Sequence, residues 1–255
     1  MPIAVAQLAR AAGCLGLMAV VGATQADEIL VAVAANFAAP MARLADPFTA
    51  ATGHTLKLAS GATGKFYSQI VAGAPFEVLL SADDETPQRL ITEGHAVAGS
   101  AFTYAVGQLV LWSATPGFVD AQGAVLASGR FQKLAIANPK TAPYGRAAME
   151  VLAVRGLTAA LSPKLVTGES VAQAHQFVAT GNAELGFVAL SQVSAPSKAP
   201  AGSMWRVPVA LYKPIRQDAV LLKTGAGKPA AAALLQWLRS EPAQAVIRSY
   251  GYERG

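Results

Sequence analysis

Four short segments of the chain place small, hydroxyl or amide residues where an apolar run gives way to a helical repeat. They are Ala34–Phe37, Ser60–Lys65, Asn138–Gly145 and Gly168–Val171. The first turn of a helix has backbone N–H groups without intrahelical partners, and the helix dipole adds about half a positive charge there. Several such turns directed at one cleft would bind an anion without help from lysine or arginine.

Each segment taken alone also fits a simpler role. Asn36, Thr63 and Ser170 are residue types that commonly cap helices. The segment Ser60–Lys65 suggests a nucleotide phosphate loop, but only two residues separate its glycines and no Ser or Thr follows Lys65. The spacing therefore argues against nucleotide binding.

The sequence offers little for catalysis. It contains no Gly-x-Ser-x-Gly, His-x-x-x-His or His-Glu-x-x-His segment. The histidines are isolated: we interpret His54 as a surface loop residue, whereas His175 lies within a predicted helix from which it could reach a cleft. The acidic run Asp83–Glu85 follows a strand, and we interpret it as a loop that caps the next helix rather than a metal cluster.

Composition limits the class of protein further. The chain has 255 residues, of which 53% are hydrophobic and 14% charged, so it can bury a sizeable core. A single cysteine excludes a disulfide framework and a cysteine-based metal site, and we expect no cofactor. Lysine and arginine are scattered, which argues against a nucleic-acid partner.

The N-terminus has the pattern of an export signal. One charge, Arg10, precedes the apolar run Ala11–Ala23, and small residues then lead to Ala26. This pattern predicts a signal peptide over residues 1–26, cleaved after Ala26. The sequence around Cys14 fits a lipid-attachment box only loosely, because most of the apolar run follows the cysteine, so we favour a free protein over a lipid-anchored one. Cleavage leaves 19 basic and 15 acidic residues and no cysteine.

Strand-like and helix-like patterns alternate along the rest of the chain, which predicts an α/β fold. Two blocks of this kind are joined by weaker strands near residues 104–112 and 205–212. We therefore predict two lobes, each a mostly parallel sheet flanked by helices, with a ligand cleft between them. Lobe 1 comprises residues 27–104 plus 208–255, and lobe 2 comprises residues 105–207. Two local expectations are a kink or early helix end at Pro47 and a strand over Val207–Tyr212.

Several of these segments, in order, resemble the periplasmic molybdate-binding proteins of ABC importers, which are two-lobed type II solute-binding proteins. The resemblance covers nearly all of residues 28–253. The segments that carry it are Ala34–Phe37, Ser60–Gly64, Gly73–Pro75, Leu79–Asp83, Ala137–Pro139, Ala142–Gly145, Glu169–Val171, Leu185–Leu190, Phe102–Ala105 and Leu109–Trp112. The last two are similar to the subgroup that binds molybdate and tungstate without a tyrosine hydroxyl.

The resemblance implies which residues would hold the oxyanion. Asn36, Tyr144 and Val171 would each donate a backbone N–H, and Thr63 would donate both its hydroxyl and its N–H. Ala35 and Ala62 would be additional contacts. Molybdenum or tungsten would be present only inside the oxyanion, with no direct bond to a protein atom.

The chain also departs from that family. Ala35 and Ala62 stand where relatives often have a hydroxyl residue, and Ala189 stands where another branch has a ligand-binding tyrosine. These departures leave open a receptor for another anion, such as sulfate, chromate or an organic acid. A more remote alternative is a secreted α/β hydrolase. The main hypothesis, which rests on the resemblance, implies a monomeric, non-enzymatic periplasmic receptor. An inner-membrane ABC permease would recognise its closed form.

Overall fold

The computed structural model describes residues 26–194, 196 and 201–255 of the protein. The predicted signal peptide and Cys14 therefore lie outside the described residues. The strands are β1 (Glu28–Ala34), β2 (Thr55–Gly61), β3 (Val78–Leu80), β4 (Phe102–Gly107), β5 (Leu109–Ser113), β6 (Leu134–Ala137), β7 (Leu165–Gly168), β8 (Leu185–Ala189), β9 (Ser203–Arg206) and β10 (Ile215–Leu221). The helices are α1 (Ala38–Thr52), α2 (Thr63–Val71), α3 (Glu85–Thr92), α4 (Pro143–Val154), α5 (Thr158–Leu161), α6 (Val171–Ala179), α7 (Leu190–Val193), α8 (Pro229–Leu238) and α9 (Glu241–Ser249).

The strands form two sheets with the same plan. The first has the order β2-β1-β3-β10-β4, and the second has the order β7-β6-β8-β5-β9. In the first sheet only β10 is antiparallel to its neighbours, and in the second only β5 is. The predicted two-lobed α/β fold is thus confirmed, with one reversed strand in each mostly parallel sheet.

Both reversed strands follow a crossing between the lobes. The chain leaves the first sheet at the end of β4 and enters the second as β5 after the single residue Gln108. It returns from β9 to β10 through residues 207–214. The lobe limits given above remain a prediction, and β4 continues three residues past one of them.

Alternation along β1 explains how the first sheet is covered on both faces. Ile29, Val31 and Val33 belong to a core that includes side chains of α1, α8 and α9. Leu30 and Ala32 face the opposite core, to which α2 and α3 contribute. A third core consists mostly of lobe 2 residues, with α4 and α6 packed on β6 and β8, and extends to four alanines of lobe 1 at the interface.

The predictions of an early helix end at Pro47 and of a strand over Val207–Tyr212 were wrong, whereas a kink at Pro47 stays a prediction. Helix α1 does not end early at Pro47 but continues to Thr52, because Leu44 and Phe48 anchor both sides of the proline in the core. It ends at Gly53, whose φ of 77° is left-handed. The segment Val207–Tyr212 is not a strand, since Pro208 has no N–H to donate and a 3-10 turn follows it; β9 pairs with β5 instead.

Within residues 26–194, 196 and 201–255, no helix has both the length and the apolar character needed to cross a membrane.

Candidate functional site

The four turns singled out in the sequence meet at one small cavity between the lobes. Lobe 1 contributes the ends of β1 and β2 and the second residue after β3, and lobe 2 contributes the starts of α4 and α6. The lining residues are Ala34, Ala35, Asn36, Gly61, Ala62, Thr63, Ala82, Ala142, Pro143, Tyr144, Ser170 and Val171. All six predicted contact residues are thus brought together. The cavity volume is only about 10 Å³, so the cavity suits a small ion rather than an organic molecule.

Backbone N–H groups are the main polar groups that reach this cavity. Thr63 and Val171 are the first residues of α2 and α6, and Tyr144 is the second residue of α4. Asn36 lies in the 3-10 turn between β1 and α1. Apart from bonds within helices and strands, no described residue accepts a hydrogen bond from the N–H of any of these four, and the N–H groups of a first helical turn have no partner inside their helix. The turns therefore offer four unpaired donors, three of them at helix N-termini.

The Thr63 hydroxyl adds a fifth donor. Thr63 is buried, and its Oγ1 accepts a hydrogen bond of 3.0 Å from the backbone N–H of Ala82. A hydroxyl has one proton, and the bond from Ala82 uses a lone pair rather than that proton. The O–H of Thr63 therefore remains available to donate to a ligand in the cavity.

The side chain of Asn36 supports its turn through bonds to distant residues. Its Nδ2 donates to Gln217 Oε1 and to the Tyr252 hydroxyl, each at 2.9 Å. The backbone carbonyl oxygen of Asn36 is 2.9 Å from the hydroxyls of both Ser191 and Tyr252. With the side chain and carbonyl held in this way, the backbone N–H is the group that Asn36 presents to the cavity.

Gln217 extends this network to two more tyrosines. Its Oε1 lies 3.0 Å from the Tyr104 hydroxyl, and its Nε2 donates to the Tyr144 hydroxyl over 3.3 Å. Burial raises the pKa of Tyr104, Tyr144 and Tyr252, so all three stay neutral at physiological pH. The hydroxyl of Tyr144 thus contacts Gln217, whereas its backbone lines the cavity.

Residues 104, 191, 217 and 252 were not predicted from the sequence. The sequence signal for this network is Gln217, an amide among the otherwise apolar inner positions of β10. In the structure the Gln217 side chain is fully buried. Buried amides normally need specific partners.

The remaining sequence candidates lie elsewhere or have other roles. Asp83 Oδ1 accepts from the N–H of Thr86 at 3.0 Å, in agreement with the prediction that this loop caps α3. His54 is not a surface residue as predicted but is buried, and its Nδ1 accepts a hydrogen bond from the N–H of Asp27. His175 stacks on Trp112 with ring centres 5.0 Å apart and does not line the cavity. Ala189 is fully buried in β8 and also lies outside the lining.

Charge is absent from the cavity wall. Among the described residues that line it, none is Asp, Glu, Lys, Arg or His. In the part of the chain that the structure describes, no three His, Cys, Asp or Glu side chains are grouped so as to hold a metal ion. The site is therefore equipped to bind an anion through neutral donors.

The profile of one family, described as bacterial extracellular solute-binding protein, matches residues 29–253. The molybdate-binding protein ModA of Azotobacter vinelandii is 60% identical over 245 residues, covering 96% of this chain and 97% of the relative. ModA of Rhodobacter capsulatus is 54% identical over 244 residues, covering 94% and 95%. The solved Azotobacter vinelandii periplasmic molybdate-binding protein matches with a TM-score of 0.87 at 44% identity, covering 89% of this chain and 99% of that one. The chain that forms this cavity therefore belongs to the bacterial extracellular solute-binding protein family.

Proposed function

We propose that this protein is a non-enzymatic receptor that binds molybdate and tungstate and delivers them to an ABC importer. The observation that carries the proposal is the set of four unpaired backbone N–H groups and one hydroxyl around a cavity with an uncharged wall. Two of its relatives, those of Azotobacter vinelandii and Rhodobacter capsulatus, are named molybdate-binding proteins, which supports the same ligand.

The donors match the chemistry of a tetrahedral dianion. Its oxygens accept hydrogen bonds from the N–H groups of Asn36, Thr63, Tyr144 and Val171 and from the Thr63 hydroxyl. Hydrogen bonds to a charged partner contribute about 1.5–3 kcal/mol each. A protonated anion would bind worse, because the backbone N–H groups that face it are donors and cannot accept from its O–H.

Size is the expected basis of selectivity. Molybdate and tungstate are nearly the same size, and sulfate is smaller. The donors lie on the starts of helices and cannot follow a smaller ion inward, so sulfate would be held by stretched hydrogen bonds. The methyl groups of Ala35 and Ala62 form part of the wall where a hydroxyl would have offered adjustable contacts.

The cellular context follows from the same proposal. The chain would be exported, cleaved after Ala26 and active as a periplasmic monomer, with an inner-membrane permease as its partner. The lobes would close around the ligand about hinges near residues 104–108 and 206–210. Mass spectrometry of the exported protein should find Asp27 at the N-terminus, and small-angle scattering should show compaction when molybdate is added.

The direct test is a thermal-unfolding series on the chain from Asp27 with molybdate, tungstate, sulfate, phosphate or no anion, at matched ionic strength. A ligand that binds only the native state stabilises it by RT ln(1 + [L]/Kd), about 4 kcal/mol at a thousandfold excess over Kd. We expect a large rise in Tm with molybdate and tungstate alone. A rise with sulfate, or none with any of the four, would contradict the assignment.

A further inference from the structure

Besides enclosing the cavity, the two lobes make polar contacts with each other along its edge. The N–H of Gly64 donates to the carbonyl oxygen of Thr141 at 2.9 Å, Lys65 pairs with Glu169 at 2.9 Å, and Arg146 pairs with Asp83 at 2.7 Å. Each contact joins a residue of lobe 1 to a residue of lobe 2. These contacts can exist only while the lobes are together.

The two ion pairs differ in how far they are removed from water. The side chains of Lys65 and Glu169 are 56% and 66% exposed, and pairs of this kind contribute little. The Asp83 side chain is only 10% exposed, against 40% for Arg146. Losing Arg146 would leave a carboxylate that is largely shielded from water without its countercharge.

Asp83 is also held firmly within lobe 1. Its Oδ1 is bonded to the Ser81 hydroxyl at 2.9 Å and to the N–H of Thr86 at 3.0 Å. These bonds leave Oδ2 free to accept from Arg146 Nη2 at 2.7 Å. The carboxylate is thus a preformed acceptor that the guanidinium of lobe 2 meets when the lobes come together.

The pair is connected to the cavity on both sides. Asp83 follows Ala82, whose N–H is bonded to the Thr63 hydroxyl. Arg146 lies two residues after Tyr144 in the first turns of α4. Bringing Arg146 to Asp83 therefore also brings the donors of lobe 2 opposite those of lobe 1.

We propose that the Arg146–Asp83 ion pair is a latch that holds the lobes closed and sets the rate at which the bound oxyanion dissociates. This inference rests on the proposed function. The ligand leaves only when the lobes separate, and separation breaks the pair. Association begins with the open protein, in which the pair is not yet made. The latch therefore acts on koff and leaves kon nearly unchanged. Arg146 and Asp83 are positioning residues, since neither lines the cavity.

The test is a chase experiment on the chain from Asp27, loaded with radiolabelled molybdate and diluted into excess unlabelled molybdate. We expect Arg146→Gln to raise koff by about tenfold with kon changed less than about twofold. Arg146→Lys should recover part of the loss, because it restores the charge without the fork of the guanidinium. Asp83→Asn should raise koff similarly, and the double variant should be no faster than the single ones.

Two control variants separate the latch from a general loss of charge. Arg89→Gln breaks an ion pair of 2.8 Å between Arg89 of α3 and Glu93 at the C-cap of the same helix. Both residues belong to lobe 1, so koff should not change. Lys65→Gln removes the exposed contact between the lobes and should raise koff less than twofold.

The free energy of unfolding without ligand distinguishes the latch from a fold-stabilising contact. In the ligand-free protein we expect little coupling between Arg146→Gln and Asp83→Asn, since the pair forms on closure. Strong coupling there, together with an unchanged koff, would overturn the latch but leave the receptor function standing. A wild-type protein that does not bind molybdate would contradict the proposed function and the latch together.

Discussion

The backbone N–H of Ala82 donates a hydrogen bond to the hydroxyl of Thr63, so that two turns of lobe 1 are joined at the edge of the cavity. Because this bond uses a lone pair of the hydroxyl oxygen, the hydroxyl proton can be donated to a ligand. It also fixes the rotamer of Thr63 before any ligand arrives. Such preorganisation lowers the entropy that binding must overcome.

Thr63→Val should weaken molybdate binding by about ten- to a hundredfold, because one hydrogen bond to a charged oxygen is lost. Isothermal titration measures the change. Thr63→Ser is the matched control: it keeps both the donor and the acceptor for Ala82 and should retain most of the affinity. Equal affinity in the valine variant and wild type would exclude the hydroxyl as a contact.

Tyr252→Phe should lower both stability and affinity. It removes the hydroxyl that accepts from the Asn36 amide and lies against the Asn36 carbonyl oxygen, and an unpartnered buried polar group costs about 1–3 kcal/mol. Without this hydroxyl, the turn at Asn36 should hold its backbone N–H less rigidly, which should weaken molybdate binding several-fold. Chemical denaturation and titration measure both effects. Tyr67→Phe removes an exposed hydroxyl bonded to Glu93 and should change neither.

Molybdate affinity should be constant from about pH 6 to about pH 9. The cavity wall carries no Asp, Glu, Lys, Arg or His, and burial raises the pKa of Tyr144, whose backbone lines the cavity, as well as those of Tyr104 and Tyr252 behind it. A raised tyrosine pKa favours the neutral form, so ionisation destabilises the fold only above the unfolded-state value of about 10. Titration calorimetry at several pH values checks this. A steep fall in affinity near neutral pH would point to a charged contact.

Asp218→Asn should raise Tm at neutral pH. Burial raises the pKa of the Asp218 carboxyl, and nearby Asp84 adds to the rise, against a hydrogen bond from Thr103. Its Oδ1 has no hydrogen-bond partner among the described residues. The folded state therefore favours the protonated acid, and stability falls as pH rises through the unfolded value of about 3.9.

The gain in Tm should be modest, at most about 2–4 °C, because the carboxyl is only half buried. It should disappear below about pH 3, where Asp218 is almost fully protonated in both states. Scanning calorimetry across pH tests this. Asp46→Asn, on the exposed side of α1, is the control and should leave Tm unchanged at every pH.

Local patterns were enough to predict the turns that form the cavity. A strand followed by a small residue and an amphipathic helix is a short-range signal, and Pro143 at the start of α4 and Ser170 at the cap of α6 lie where that signal placed them. Parallel strands bring such turns to one edge of a sheet, so their convergence also followed from the fold class.

The supporting network could not be predicted in the same way. Asn36 is 181 residues from Gln217 and 216 residues from Tyr252 in sequence. Which buried amide meets which tyrosine depends on how the strands of both lobes are arranged. The pairing of Arg146 with Asp83, 63 residues apart, depends in addition on how the lobes meet.

The position of β10 between β3 and β4 has a consequence for how the chain acquires its fold. Strand β4 pairs in its sheet only with β10, which is formed by residues 215–221. All strands of the second sheet lie within residues 109–206. During synthesis, which begins at the N-terminus, the second sheet can therefore be completed before the first sheet. The first sheet stays incomplete until β10 has been synthesised. Pairing over such long sequence separations is slow. The order of strands alone thus delays completion of the first sheet until β10 has been made.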